Sequence, residues 1–212
     1  SADSMQVYRD MDILTAMPTA TEMRGVAHHM LGVFSPREKC SAASYRERAL
    51  GCIDAIRARG RLPIVCGGTG LYINALTRPL GFAAQGDDAI RAELTRIAEA
   101  EGGRERLHEQ LKAVDPAAAA RLHPNDVRRV TRALEIYRLT GRTQSEQAAL
   151  DAQRGDGPFS ERVYALDWPR EALYARIDRR VDEMLQSGLV DEVRRLMKNE
   201  AVFSTAAQAI GY

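Results

Sequence analysis

The chain has 212 residues, 45% hydrophobic and 28% charged, and its 30 Lys plus Arg against 29 Asp plus Glu leave a formal net charge of +1. That composition excludes a disordered chain and a protein that holds nucleic acid by overall charge, so any basic surface has to be concentrated locally. No run reaches the roughly 20 apolar residues of a membrane helix, and Cys40, Cys52 and Cys66 show neither CxxC pairing nor a histidine at metal spacing, which excludes a disulfide framework and a zinc site and makes a reducing cytoplasm the simplest compartment.

The opening octet, Ser1 to Tyr8, reads as the carboxyl end of a strand running into polar residues. The strand that delivers Asp3 would lie before Ser1, so the sequence looks like a fragment. Residues 41–59 have the helical period: Ser41 or Ser44 can cap, Tyr45, Ala49, Cys52, Ile53 and Ile56 recur on one face, and Gly60 supplies the stop. Residues 62–66 form a short apolar run with β-branched Ile64 and Val65, suited to a buried parallel strand. Gly67-Gly68-Thr69-Gly70 then leads into a short helix over 71–76, closed by Arg78-Pro79.

Composition shifts at 81–86, and 87–150 reads as helices alone: 88–100, 104–112, a turn from Pro116, and 125–140 ending at Gly141. Residues 154–158 are the linker back. Residues 162–167 alternate as a strand, and an amphipathic helix follows Pro169 over 170–186 with Gly188 after it. The predicted division is an α/β core over 1–84, a helical insertion over 85–158 and the second part of the core over 159–212.

Ligands of open α/β sheets bind beyond the carboxyl ends of strands, which puts chemistry at Asp3 and at the glycine turn. A carboxylate there can take a proton from a substrate amine or hold a metal through water; it can equally cap a turn. Glycines 67, 68 and 70 let backbone amides approach a ligand, or simply make a tight turn. On the helical wheel of 125–140, Val127, Val130, Leu134 and Tyr137 fall on one side and Arg128, Arg129 and Arg132 on the other, a face that suits phosphates or solvent. Arg176 and Arg180, spaced i, i+4, can clamp a diphosphate or pair with nearby acids. His28-His29 has no third ligand nearby and points apart, so no metal is expected there.

Taken together, SADSMQVYRDMDILTAMPT from Ser1, the His28-His29 pair, GGTGLY from Gly67, HPNDVRRVTRALE from His123, the run ending MLQSGL at Leu189 and the closing Ala209-Ile210-Gly211-Tyr212 resemble the tRNA dimethylallyltransferases, also called tRNA isopentenyltransferases. The blocks keep the family's order across the whole chain. The resemblance implies an α/β fold, a P-loop NTPase-like parallel sheet core with an all-helical insertion domain. It implies transfer of a dimethylallyl group from dimethylallyl diphosphate to the exocyclic amine of the adenosine 3′-adjacent to the anticodon, with Mg²⁺ as cofactor. On that reading Asp3 is the general base, and Asp3, Ser4, Met5 and Gln6 contact the target nucleotide. Thr69, Arg91, the segment Arg128, Arg129, Val130, Thr131 and Arg132, and the segment Gln208, Ala209, Ile210, Gly211 and Tyr212 contact tRNA, while Arg176 and Arg180 hold diphosphate. The expected partners are a tRNA anticodon stem-loop and dimethylallyl diphosphate, with no membrane and a monomeric protein.

The chain departs from the family in one respect: no G-x-x-x-x-G-K-[ST] occurs, whereas the family carries such a phosphate loop shortly before the position of Asp3. A piece without it, and cut also past Tyr212, is expected to be inactive alone. Three other readings stay open on the residues themselves: an adenylate isopentenyltransferase acting on free nucleotide, a non-catalytic RNA-binding module, and a P-loop nucleotide kinase.

Overall fold

A computed structural model of the chain describes residues 1–79, 81, 86–155, 157–198 and 206. In chain order its helices are α1 (Ala20–Met23), α2 (Ala42–Ala58), α3 (Gly70–Thr77), α4 (Asp88–Glu99), α5 (Gly103–Val114), α6 (Pro116–Arg121), α7 (Val127–Thr140), α8 (Gln144–Gln153), α9 (Arg170–Gln186) and α10 (Leu189–Lys198). The chain forms two compact units, one from Ser1–Arg78 with Gly157–Tyr212 and one from Pro79–Asp156.

The first unit grows around α2. Ser41 caps it through a reciprocal pair with Ser44, satisfying donors that the first turn leaves unpaired. Its buried face of Tyr45, Ala49 and Ile53 follows the helical period, and Tyr45 stacks on Tyr72 of α3 with ring centroids 3.9 Å apart. Val7, Tyr8, Met11, Met30 and Phe34 complete this core. Burying side chains of this size contributes about 1.5–3 kcal/mol each. The thiol of Cys40 sits 3.2 Å from the Tyr72 hydroxyl, and the Cys40 amide donates to the Tyr8 hydroxyl.

The expected parallel sheet is not formed among the described residues; they hold one isolated parallel bridge, between Tyr8 and Phe34. The two runs read as strands are exposed instead: Leu62 is 83% and Ile64 75% accessible, and Val163, Tyr164 and Leu166 are comparably open. Their β-branched pattern suits a buried strand, but a strand needs a neighbour on its edge to satisfy its amides and cover its faces. Among the described residues neither run is paired along its length; 62–66 is met at its end, where the Ala2 amide donates to the Cys66 carbonyl.

The elements of the second unit among its described residues are all helices, with Leu94, Leu107, Leu111, Ala118, Val130 and Leu134 at their centre. α7 stops at Gly141, whose φ of +70° suits a residue without a side chain. Asp115 ties two helix starts together: one carboxylate oxygen accepts from the Ala118 amide of α6 at 3.0 Å and the other from the Ser145 amide of α8 at 3.0 Å.

Burial alone would raise the pKa of Asp115, but the bonds from Ser145 and Ala118 outweigh it, and the net shift is downward. A carboxylate with a depressed folded pKa adds stability above its unfolded pKa, lost as pH falls through the folded one. Thermal unfolding between pH 7 and pH 3 should therefore show Asp115→Asn less stable than the parent at neutral pH. The gap should narrow once the pH drops below about 4, where the unfolded carboxyl titrates. A gap independent of pH would rule this account out.

Candidate active site

The octet and the glycine turn meet in the first unit. The Ala2 amide donates to the Cys66 carbonyl at 2.6 Å, and the Thr69 amide donates to the Ala2 carbonyl at 3.1 Å. That approach leaves no room for a side chain at Gly67, where an added Cβ would stand 2.4 Å from the Ala2 carbonyl oxygen. Two residues on from Ala2, the Ser4 amide donates to the Thr69 hydroxyl at 2.9 Å, and that hydroxyl reaches the Ser4 hydroxyl at 3.3 Å. Thr69 stands at the N-cap of α3 but makes no side-chain cap bond there; its hydroxyl serves the octet instead.

Asp3 is therefore placed by backbone on both sides. Its Oδ1 accepts from the Met5 amide at 2.8 Å and the Gln6 amide at 3.1 Å, a turn that fixes the side chain at one oxygen. Oδ2 makes no bond among the described residues, which leaves it able to accept a proton. The cap and base readings of Asp3 are thus compatible, with one oxygen for each.

Gln6 is the hub of the next layer. Its Nε2 donates to the carbonyls of Thr15 and Ala16, both at 3.2 Å, and its Oε1 accepts from the Ser1 hydroxyl. The same loop is held from the other side by buried Glu192 on α10, whose two oxygens accept from the Ile13 and Leu14 amides at 2.9 and 3.0 Å. Arg180 of α9 adds a long contact, its Nη2 standing 3.5 Å from the Ala16 carbonyl. Asp3, Gln6, Ala16, Pro18, His29 and Tyr45 line a cleft of about 970 Å³.

Tyr45 closes part of that cleft and donates to the Ser1 carbonyl at 2.9 Å. Burial pushes its phenol up to about 12 and pushes Tyr72 up as well, so both stay protonated donors. Burial likewise raises the Cys40 thiol, away from the thiolate form that a nucleophile needs.

The remaining predicted residues are distributed as follows. Arg180 reaches the Ala16 carbonyl; Arg176 lies over the Trp168 ring, 4.5 Å from its centre. In the second unit Arg128 and Arg129 of α7 are exposed, with Arg129 3.4 Å from Asp126. Val130 is fully buried in the helical core and Thr131 is buried, so neither side chain is available to a partner. Tyr137, placed on the apolar side of the wheel, is exposed, and Ala133 and Ile136 are buried instead. Arg91 and Arg132 both bind the carboxylate of Glu135. Gln208, Ala209, Ile210, Gly211 and Tyr212 lie outside the described residues.

Two residues escaped the sequence reading. Glu192 meets Ile13 across 179 positions, and no local pattern signals such a contact. Glu135 was legible in part, since it stands three residues after Arg132 on one helix, a spacing that pairs charges.

The family model for IPP transferase matches residues 6–212. A tRNA dimethylallyltransferase of Geobacillus thermodenitrificans is 49% identical over all of this chain, which spans 67% of that relative, and one of Desulforamulus reducens is 46% identical, with 75% of its length spanned. Among solved structures, the full-length tRNA isopentenylpyrophosphate transferase of Bacillus halodurans aligns with a TM-score of 0.63 at 43% identity, over all of this chain and 65% of that one. A eukaryotic dimethylallyltransferase acting on tRNA aligns with a TM-score of 0.77 at 32% identity, over 93% of this chain and 48% of that one. The chain thus spans about two thirds of the length of the bacterial relatives it matches. With a family model covering all but the first five residues and whole-chain identity near one half, the chain belongs to the IPP transferase family, that of the tRNA dimethylallyltransferases.

Proposed function

We propose that the complete protein transfers a dimethylallyl group from dimethylallyl diphosphate to the exocyclic amine of the adenosine 3′-adjacent to the anticodon of tRNA. The observation that carries the reading is the Ser4–Thr69 link, which joins the octet to the glycine turn and presents Asp3 to one cleft with an oxygen to spare. An adenine amine is a weak nucleophile because its lone pair is delocalised into the ring. As its nitrogen bonds to the allylic carbon, the carbon–oxygen bond to diphosphate breaks, the diphosphate leaves with the electron pair, and the amine proton passes to Asp3 Oδ2. Ser4, Met5, Gln6 and Thr69 bound the target nucleotide in this reading. Arg180, already beside the octet's loop, and Arg176 counter the diphosphate charge.

Mg²⁺ is commonly held by one or two carboxylates together with substrate phosphates and water. Around the cleft the chain offers the Asp3 carboxylate beside the Ser4 and Thr69 hydroxyls, and no group of three or more His, Cys, Asp or Glu side chains able to hold a metal occurs among the described residues. That donor set fits an ion carried mainly on the diphosphate, which would supply neutralisation of the leaving group.

The fold belongs to the same proposal. Exposed, β-patterned 62–66 and 162–167 are the segments that would be strands of a P-loop-type parallel sheet, and the helical unit, with Arg128 and Arg129 outward, is the lobe that would grip the anticodon stem-loop. Among the described residues no helix is long and apolar enough to cross a membrane. A monomer working in the cytoplasm completes the reading. The test supplies the complete protein with dimethylallyl diphosphate, Mg²⁺ and either unmodified tRNA or AMP. Prenyl incorporation into tRNA with AMP left untouched is expected; preference for AMP, or no transfer to either, would overturn it.

A further inference from the structure

Glu135 is fully buried on α7, yet it is ionised and meets two arginines at once. Its Oε1 accepts from Arg91 Nε at 2.8 Å and from the Asp87 amide at 2.8 Å, and its Oε2 accepts from Arg132. Burial alone would raise its pKa, but the bonds from Arg132, the Asp87 amide and Arg91 outweigh it and hold the carboxyl below the usual range. The space is built for this arrangement: a Cβ on Gly86 would fall 1.7 Å from Arg91 Nη2 and 2.8 Å from Glu135 Oε1.

One buried carboxylate thus holds two guanidinium groups in place. Both arginine side chains remain partly open, 43% for Arg91 and 35% for Arg132. Asp88 stands 3.8 Å from Arg91 but is 73% exposed, a solvent-screened contact that is cheap to exchange. Arg128, exposed, precedes Arg132 by four residues and so shares its face of α7.

We infer that Glu135 is a positioning residue that holds Arg91 and Arg132 side by side as one pre-oriented clamp for a backbone phosphate of tRNA. The inference rests on the reading of the helical unit as a tRNA-gripping lobe and assigns its organising group. Guanidinium groups on long side chains lose much freedom when they bind a phosphate, and a buried carboxylate that fixes them beforehand removes that cost.

The test has a sign that simple charge counting reverses. Removing a negative charge from an RNA-binding face should tighten binding by electrostatics alone. In the complete protein Glu135→Gln is expected instead to raise the tRNA Kd, and the KM for tRNA, by about tenfold or more, with the KM for dimethylallyl diphosphate and kcat at saturating tRNA within about twofold. Arg91→Lys, which keeps a cation beside Glu135 and so protects the fold, is expected to weaken tRNA binding about fivefold by losing the planar fork alone. A tRNA Kd unchanged or lowered in Glu135→Gln, or unchanged in Arg91→Lys, overturns the clamp. Arg128→Ala separates the two levels. If it weakens tRNA binding and reduces the salt slope by about one while the other two variants do nothing, the clamp fails and the lobe reading stands. If all three leave binding unchanged, the lobe reading fails with it.

Discussion

Asp3→Asn in the complete protein is expected to cut prenyl transfer about 100- to 10,000-fold, the range that a positioned general base supplies. The substitution is chosen for what it keeps. An asparagine side chain still offers one acceptor oxygen to the Met5 and Gln6 amides, which Asp3 Oδ1 holds at 2.8 and 3.1 Å, so the turn and the Ser4–Thr69 link persist. What it loses is the second oxygen's capacity to take a proton. Affinity for tRNA should therefore change less than about threefold, a difference of well under 1 kcal/mol, and the loss should fall on kcat and kcat/KM alike. If transfer stays within twofold of the parent, Asp3 is a turn residue and the base lies elsewhere. If tRNA binding collapses along with turnover, Asp3 acts mainly in recognition.

What could be read in advance follows the range of the forces. α2 was legible because its cap and apolar spacing are local, with Ser41 accepting the Ser44 amide at the helix start, and α7 because its apolar spacing and its stop at Gly141 are local. The helices α8 and α10 were not singled out, although Thr143 with Glu146 spells a capping box. Residues 62–66 and 162–167 have strand composition, but pairing is a property of two segments, and among the described residues neither is paired along its length.

At the site the residue types were legible and their division of labour was not. Asp3 and Thr69 were singled out as groups facing a ligand. In the structure each also faces the protein: Asp3 through Oδ1, and Thr69 through its bonds to Ser4. Within the segment from Arg128 to Arg132, the helical period carries Val130 and Thr131 inward, so a contiguous block in sequence is not a contiguous surface. Glu135 entered the sequence reading as the last residue of the HPNDVRRVTRALE block; in the structure it is buried and binds both Arg91 and Arg132.

Gly67→Ala should be as damaging as the loss of Asp3, because a side chain there meets backbone and the φ of +152° suits glycine. A Cβ at that position would lie 2.4, 2.5 and 2.9 Å from the carbonyl oxygen, carbonyl carbon and Cα of Ala2, all backbone atoms with no rotamer to yield. Ala2 is fully buried and held on both sides, by the Cys66 carbonyl and the Thr69 amide, so relief requires breaking one or both of those bonds. Either movement shifts the residue that follows, which is Asp3. A displacement of about 1 Å costs on the order of 100-fold in rate even where every reacting group is retained, and a backbone clash of this kind costs about 2–4 kcal/mol in stability. Gly68→Ala supplies the control, because a Cβ there meets nothing within 4 Å and its φ lies outside the positive region. It should leave stability within about 0.5 kcal/mol. Both variants stiffen the same turn to a similar degree, so equal losses would point to a need for flexibility there. A large loss in Gly67→Ala alone is what the close approach of Ala2 requires, and full activity in that variant would mean that the octet and the glycine turn do not pack together as described.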